Sequence, residues 1–298
     1  MNIISTDSSK TTTGYHETKR HANSMFAYNV YPCTIPQDFT FVPVHWQDSV
    51  EIIYIKKGKG LVFVDFETYE AQAGDIFIIL PEHVHGLRQI VGERMEYENI
   101  IFDLNFVESN TFDLCFQKYW QPLQQKKVSF PVYIPSGHEL HARIQQLLDS
   151  SDQLCDQKSI GYELAVKGNL MLIFAQLFQM PTSNIMSTDK NMQKLKFVLS
   201  RIEEEYSQKL TVGKIASECG YSESHFMRWF KEMTGTSFGT YLIDYRLEKA
   251  AALLKNSTLT VLDIAEQCGF DNISNFNRLF KKRFDLTPNQ FRKTNFRN

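Results

Sequence analysis

The C-terminal third of the chain contains the same pattern twice, and this duplication constrains the fold more than any other feature. The first copy spans Leu210–Tyr241 and the second spans Leu259–Phe291. The offset between them is 49 residues in the first part and 50 in the rest, so the second copy carries one inserted residue. The matching pairs include Ile215/Ile264, Ala216/Ala265, Cys219/Cys268, Gly220/Gly269, Arg228/Arg278, Phe230/Phe280 and Lys231/Lys281. The repeat predicts two structural units of one kind.

Each copy has the pattern of a helix-turn-helix unit. A small residue, Ala216 or Ala265, allows a second helix to approach the first, and a glycine follows where a left-handed backbone would end that first helix. The second helix has aromatic residues at four-residue spacing on one side, and its other side is polar and free to face a DNA groove. These aromatic residues and Trp229 are the predicted core, namely Phe226, Trp229, Phe230, Phe276 and Phe280.

The segment between the copies, Ser237–Lys255, predicts a helix of 19 residues. At ~1.5 Å per residue this helix is about 28 Å long, close to the ~34 Å of one duplex turn. A rigid connector of this length would hold two reading helices in successive major grooves. Thr211, Ser222 and Ser237 stand where helix N-caps are expected.

The residues of this region resemble the AraC/XylS family signature. The similar positions are Arg246-Leu-Glu-Lys-Ala-Ala, Asp263-Ile-Ala-Glu-Gln-Cys-Gly-Phe, Phe276, Arg278, Phe280-Lys-Lys, Phe284 and Thr287-Pro-Asn-Gln-Phe-Arg. The resemblance implies sequence-specific binding to double-stranded promoter DNA, two helix-turn-helix units on a common helix, and action on RNA polymerase. Most members of the family are activators, often of carbohydrate genes, so it also implies activation by a sugar.

The part of the chain from Phe26 to about Phe106 predicts short strands. Ser49–Ile55, Leu61–Tyr69, Asp75–Leu80 and Glu96–Phe106 are apolar and β-rich runs, separated by glycine and proline. The residues from His45 to Glu51, with Gly58, Gly60, Gly74-Asp75, Pro81 and His85, resemble the cupin barrel common at the N-terminus of this family. The fold class is therefore expected to be α+β, with a cupin-like β-barrel followed by an all-α domain.

Helical spacing begins at about residue 137 and continues to Met180. The apolar residues that carry it are Leu140, Ile144, Leu147, Leu148, Leu164, Leu170, Met171, Phe174 and Leu177. We expect a disordered tail at 1–25, an effector-sensing barrel at 26–130, a helical dimerisation and linker segment at 131–190, and a DNA-binding domain at 191–298. A homodimer would form through the 137–180 helices.

Charge and cysteine usage agree with a DNA-binding protein of the cytoplasm. Residues 191–298 contain 17 Lys and Arg against 12 Asp and Glu, a net +5, and residues 1–190 carry −7. Five scattered cysteines without a CxxC pair argue against a disulfide framework or a zinc site. An apolar run of 18 residues and a signal peptide are both missing from the sequence, so we expect a cytoplasmic protein with no membrane segment.

The predicted DNA-contacting residues lie on the second helix of each copy and beyond it. The family resemblance places base contacts at Ser224, Met227 and Arg228 in the first copy, and at Ile273, Ser274, Asn277 and Arg278 in the second. Arginine suits guanine edges and asparagine suits adenine, although either arginine could instead bind a phosphate, and Met227 and Ile273 could fill space. Lys281, Lys282, Arg283 and Arg292 are interpreted as phosphate neutralisers or solvated charge.

The predicted effector-binding residues are His45, Gln47, Glu51 and His85. The first three share strand parity with Ile53, which would direct them to the inside of the barrel. Metal-binding cupins supply three His and one Glu, and Gln47 stands in one of these His positions. We therefore expect a small polar effector and no metal or other cofactor, with a three-ligand metal remnant (His45, Glu51 and His85) and purely structural polar residues at the barrel mouth as the alternatives.

The leading hypothesis is a regulator with a sensor and no catalytic residues. A metal-dependent cupin enzyme fused to a DNA-binding domain is one alternative, and bound metal would support it. The other alternative is a regulator that binds DNA without an effector and uses its barrel only for oligomerisation.

Overall fold

The computed structural model describes residues 16–17, 26–39, 41–108, 113–180 and 190–295 of the chain. The chain forms two compact units, built mainly from residues 18–189 and from residues 190–298. The predicted tail at 1–25 and the last part of the predicted 131–190 segment, from residue 181 onward, lie outside the described residues, apart from 16, 17 and 190. The α+β class is confirmed, because the first unit is rich in strands and the second is helical.

The strands join in one hydrogen-bonded network around a long central strand. This strand, β4, pairs antiparallel with β6 and β8 along its first half and with β5 and β7 along its second half. Strand β4 therefore links the pair β6 and β8 to the pair β5 and β7. Within the described residues the strands are β1 (His16–Glu17), β2 (Tyr28–Ile35), β3 (Phe41–Gln47), β4 (Val50–Val64), β5 (Glu67–Gln72), β6 (Ile76–Ile79), β7 (His85–Arg88), β8 (Met95–Phe102) and β9 (Tyr133–Ile134).

The prediction of separate strands before and after Gly58 was wrong. Strand β4 continues through this residue, and its register against β8 shifts between Ile55 and Lys57. Gly58 has a φ of +75°, and a Cβ atom there would lie 1.7 Å from the carbonyl oxygen of Arg94. The glycine serves a close approach of two strands, as at a bulge, and does not mark a turn. The chain turns later, at Asp65, which has a φ of +52°.

Helices cover one side of the sheet. They are α1 (Leu104–Val107), a π-helix (Phe116–Trp120), α2 (Gln121–Gln124), α3 (His141–Gln157) and α4 (Tyr162–Leu177). Ile144 of α3 and Phe174 of α4 share one buried cluster with Ile52 and Phe102 of the sheet. The predicted helices in this part of the chain are therefore present, and they complete the core of the first unit.

Two of the apolar residues at helical spacing in α4, Leu164 and Met171, lie on its exposed side. Leu164 is 78% exposed and Met171 is 41% exposed, because the buried face runs through Val166, Leu170 and Ile173. Helix α4 is apolar on more than one side, so periodicity could not separate its two faces. The exposed side is an apolar surface on this unit.

A charged cluster ties α3 to the sheet. Lys56 Nζ of β4 lies 2.9 Å from Glu98 Oε2 of β8, 3.2 Å from Asp149 Oδ1 and 3.6 Å from Asp152 Oδ2, both on α3. Burial, and then the neighbouring Glu98 carboxyl, raise the pKa of Asp152 to about 7. The packing of α3 on the sheet is therefore expected to depend on pH.

The second unit is helical and contains the duplication as two matching helix pairs. Pairs α6–α7 and α9–α10 are joined by α8, which has 19 residues as predicted and starts one residue later than Ser237. The helices are α5 (Lys190–Glu205), α6 (Val212–Glu218), α7 (Glu223–Thr234), α8 (Phe238–Asn256), α9 (Val261–Gln267), α10 (Ile273–Phe284) and α11 (Pro288–Asn295). Among the described helices of the chain, none is long and apolar enough to span a bilayer.

The predicted N-caps and glycine turns are confirmed. Thr211, Ser222 and Ser237 each accept a hydrogen bond from a backbone N–H in the first turn of their helix. Gly220 and Gly269 have φ values of +72° and +77°. At Gly269 the backbone is also crowded, because a Cβ atom would lie 2.8 Å from the carbonyl oxygen of Ser207. Local sequence therefore fixes where each helix of a pair begins or ends.

The aromatic residues form the core of each helix pair. Those predicted as core are all buried, with Trp229 the most exposed at 5%. In the second pair, Phe276 and Phe280 contact each other at a ring-centroid distance of 5.5 Å and pack with Ala265 and Leu254. Because one side of α7 and of α10 is fixed in this way, the opposite side must face outward.

Candidate functional site

Helix α7 has a polar side opposite its aromatic core side. Phe226 and Phe230 are fully buried and Trp229 is buried beside them, and the helical repeat directs Met227 and Arg228 to solvent. The predicted contacts Ser224, Met227 and Arg228 all lie on this exposed side, and Met227 is 50% exposed, so it does not fill the core. The exposed residues of α7 are Glu223, Ser224, His225, Met227, Arg228, Lys231 and Glu232.

Helix α10 repeats this arrangement in the second pair. Of its four predicted base-contacting residues, Ser274, Asn277 and Arg278 are exposed. Ile273 is half-buried and packs against the core of the pair, so it fills space within this unit. The exposed side consists of Ser274, Asn275, Asn277, Arg278, Lys281 and Lys282.

The exposed sides of the two helices carry donors suited to base edges. Arg228 and Arg278 occupy matching positions and present guanidinium groups, which can donate two parallel hydrogen bonds to guanine. The residues one turn earlier, His225 and Asn275, were missed by the sequence reasoning. Their spacing of three residues from the arginines was the available signal, since such residues are neighbours on a helix surface.

The four basic residues near the end of the second copy differ in their surroundings. Lys281 and Lys282 are exposed. Arg283 donates to Glu248 Oε1 at 2.9 Å and is only 15% exposed, and Arg292 is half-buried and donates to the carbonyl oxygen of Leu259 at 2.5 Å. Arg283 therefore stabilises the fold through this ion pair. Its interpretation as a phosphate neutraliser or a solvated charge was wrong, because its side chain is mostly buried against Glu248.

The predicted effector residues are buried together in the sheet. His45, Gln47, Glu51 and His85 are between 0% and 4% exposed. The Gln47 Nε2 atom donates to Glu51 Oε2 at 2.7 Å, and His85 Nε2 lies 2.9 Å from the same oxygen. The parity argument was wrong in its detail, because β3 ends at Gln47 and Glu51 belongs to β4. The turn between the two strands nevertheless brings these side chains together.

The histidines of this cluster are oriented by the backbone. The Nδ1 atom of His45 lies 2.9 Å from the carbonyl oxygen of Pro43, and that of His85 lies 3.0 Å from the carbonyl oxygen of His83. With its Nδ1 atom held in this way, the His85 ring directs its Nε2 atom toward the Glu51 carboxylate. One ligand atom from each of His45, Glu51 and His85 lies within 4.8 Å of the others, a spacing and a donor set that could hold a divalent transition metal.

A second contact fixes the segment that leads into β7. Asp65 Oδ2 lies 2.6 Å from His83 Nδ1, and Asp65 Oδ1 accepts from the backbone N–H of Val84 at 3.1 Å. Because His85 directly follows these residues, the contact positions its ring. Sequence reasoning missed Asp65 and His83, since they are 18 residues apart.

Comparison with protein families gives two matches along the chain. Residues 199–294 match the helix-turn-helix domain, and residues 32–174 match the AraC-like ligand binding domain. The first match includes both exposed helices described above, and the second includes the buried cluster around Glu51.

Individual relatives match one or both parts. The uncharacterized HTH-type transcriptional regulator YdeC of Bacillus subtilis is 27% identical over 89% of this chain and 91% of its own. The HTH-type transcriptional activator RhaR of Mannheimia succiniciproducens is 26% identical over 84% and 87%. The multiple antibiotic resistance protein MarA of Escherichia coli is 36% identical over 33% of this chain and 77% of its own. The chain thus belongs to the AraC family of DNA-binding transcriptional regulators, and it carries the family's ligand-binding domain.

Proposed function

We propose that α7 and α10 read promoter DNA through their exposed sides. Arg228 and Arg278 would contact guanine edges, with Ser224, Ser274 and Asn277 as further base contacts and Met227 against a thymine methyl group. Lys281 and Lys282 would neutralise phosphates. The observation that carries this proposal is the pair of matching exposed arginines, each opposite a fully buried aromatic core.

The remaining predicted contacts have weaker roles in this proposal. Ile273 is half-buried, so its part in base contact is limited to the edge of the surface. Arg292 donates to Leu259 and would reach a phosphate only with its remaining donors. We expect substitution of either residue to change stability as well as DNA binding.

The test of the DNA surface is a comparison of single variants on a duplex selected by the wild-type protein from a random library. Arg228→Ala and Arg278→Ala should each weaken binding by ~1–3 kcal/mol and relax preference at one base pair. Lys282→Ala should weaken binding to all sequences alike and lower the salt slope by about 0.9. If both arginine variants kept full base preference, the proposed base contacts would be wrong.

The buried cluster is proposed as the site of a small polar effector such as a sugar. Burying polar groups costs free energy unless hydrogen bonds satisfy them. Among the described residues Gln47 Oε1 is buried without a hydrogen-bond partner, next to the Glu51 carboxylate that Gln47 contacts. A ligand with several hydroxyl groups would donate to Gln47 and Glu51 and accept from other groups, because a hydroxyl does both.

The effector proposal is tested by calorimetric titration of a sugar panel into wild type, Glu51→Gln and Glu70→Gln. The first substitution keeps the volume of the buried side chain and removes its charge, and the second is the control on an exposed position of β5. We expect one sugar to bind wild type and Glu70→Gln, and to lose at least tenfold in affinity to Glu51→Gln, since hydrogen bonds to charged groups contribute roughly 1.5–3 kcal/mol. This site would be refuted if no sugar bound to wild type, or if a sugar bound Glu51→Gln with the same affinity as wild type.

Regulation requires the effector to favour one state of the protein over another. A ligand that binds both states equally shifts no equilibrium, and linkage requires operator DNA to change effector affinity by the factor by which effector changes operator affinity. We propose that the effector-bound protein activates transcription through RNA polymerase, and the similarity to RhaR, a transcriptional activator, supports this. Operator affinity that is identical with and without effector would favour the alternative of a regulator that needs none.

The exposed apolar side of α4 supports the proposed homodimer. Leu164 and Met171 lie seven residues apart on one side of the helix, and Leu172 beside them is 45% exposed. A second copy of the chain could bury this surface, whereas exposed apolar patches on a monomer are unfavourable.

Metal binding is a second candidate for the cluster of His45, Glu51 and His85. The close spacing of their ligand atoms is the observation that favours it. Elemental analysis of the purified protein separates the two ideas, because the effector proposal needs no metal. One equivalent of zinc, nickel, cobalt or iron would support the metal candidate and reopen the enzyme alternative.

A further inference from the structure

We propose that Asn275 is a specificity-determining residue that orients Arg278 for base recognition. The inference rests on the proposed base contact of Arg278. Asn275 precedes Arg278 by one helical turn, and its Oδ1 atom accepts a hydrogen bond from Arg278 Nη2 at 2.8 Å. Both residues are exposed on the outward side of α10, where Phe276 and Phe280 hold the helix to its core.

Asn275 is itself held in place by the start of the helix. Its backbone N–H donates to the side chain of the N-cap residue Asn272 at 2.9 Å. The first turn of the helix therefore fixes the backbone position from which the Asn275 side chain reaches Arg278. A hydrogen bond from such a fixed position restricts the directions of the long arginine side chain before DNA is bound.

The geometry leaves the arginine able to read a base. A guanidinium group has five N–H donors, and the hydrogen bond to Asn275 uses one of them. The remaining donors include one pair with the parallel geometry that guanine N7 and O6 require. Fixing the side chain in advance lowers the conformational entropy lost on binding, and this favours the duplex that the fixed direction matches.

The first copy differs at the corresponding position. There the residue is His225, whose ring contacts the ring of Tyr221 at a centroid distance of 4.3 Å, and Tyr221 in turn contacts Trp229. The two copies therefore place different side chains one turn before equivalent arginines. His225→Ala is accordingly the matched control for Asn275→Ala.

The experiment uses the full-length protein and a duplex that wild type selects from a random library. Affinities are measured for this duplex and for all single base-pair changes, with wild type, Arg278→Ala, Asn275→Ala, Asn275→Asp and His225→Ala. We expect Asn275→Ala to lose about fivefold in discrimination at the base pair that Arg278→Ala identifies, with other positions unchanged, as removal of one hydrogen bond predicts. Asn275→Asp keeps the acceptor oxygen and should retain discrimination there, although its added charge weakens binding to every duplex.

Three results separate the possible failures. If Arg278→Ala changes no base preference, the proposed base contact is wrong and this inference is overturned with it. If Arg278→Ala loses preference at one base pair while Asn275→Ala does not, only the orienting role is overturned. An equal loss of discrimination with His225→Ala at the base pair read by Arg278 would also overturn it, because His225 lies on α7 and that loss would not depend on the hydrogen bond to Asn275.

Discussion

Arg283 and Lys282 are neighbours in the sequence, and we expect their substitution by alanine to change different properties. Arg283→Ala should lower the stability of the helical unit, and Lys282→Ala should lower the salt dependence of DNA binding. Arg283 Nη2 lies 2.9 Å from Glu248 Oε1, and the side chains are 15% and 8% exposed. Burial raises the pKa of Glu248 above its ordinary value and the adjacent Arg283 offsets part of this rise, so the arginine stabilises the charged carboxylate. Lys282 is exposed on the outward side of α10.

The size of the Arg283→Ala effect follows from the burial of its partner. Removing one member of a buried ion pair costs roughly 3–5 kcal/mol, because the other charge remains buried. Since Arg283 keeps some contact with water, we expect about 3 kcal/mol. For a domain of about 100 residues, 1 kcal/mol corresponds to roughly 4–8 °C in Tm, so the transition of the helical unit should fall by more than 10 °C.

Calorimetry and salt-dependent DNA binding measure the two effects separately. Below its Tm, Arg283→Ala should keep the wild-type salt slope, whereas Lys282→Ala should keep the wild-type Tm and lower the slope by about 0.9. The reasoning is refuted if Arg283→Ala unfolds within 3 °C of wild type and lowers the salt slope as Lys282→Ala does.

Three other predictions concern the stability of the two units and the assembly of the chain. Because the pKa of Asp152 is raised in the folded state, its contribution to stability is lost as pH rises from about 4 to about 7. The Tm of Asp152→Asn should therefore exceed that of wild type by more at pH 8 than at pH 5. An equal difference in Tm at both pH values would contradict this. Gly269→Ala should lower the Tm by more than Gly220→Ala, since both have positive φ but a Cβ atom contacts a backbone oxygen only at Gly269; equal Tm values would argue against the close approach. Leu164→Glu and Met171→Glu should sediment as monomers at concentrations where wild type is dimeric, and a variant that stays dimeric would place the interface elsewhere.

The helical unit could be predicted closely from the sequence because its signals are local. Caps such as Ser222 and turn glycines such as Gly220 act within a few residues, and the aromatic spacing of Phe226 and Phe230 identifies the core side directly. The repeat doubled each of these signals.

Sequence reasoning failed where distant residues decide the structure. Lys282 and Arg283 look alike in the sequence, and only the position of Glu248, 35 residues away, separates a surface charge from a buried one. Gly58 looks like a turn residue until Arg94 is found against it. The contact between Glu51 and His85 spans 34 residues, so no local pattern could predict its geometry.

Selection of duplexes from a random library, repeated with Arg228→Ala and Arg278→Ala, tests most directly whether α7 and α10 read DNA. We expect wild type to enrich a site with two boxes whose centres are about 10 base pairs apart, one helical turn. Arg228→Ala should lose base preference in one box and Arg278→Ala in the other. The account would be contradicted if wild type enriched no common site, or if both variants lost base preference in the same box.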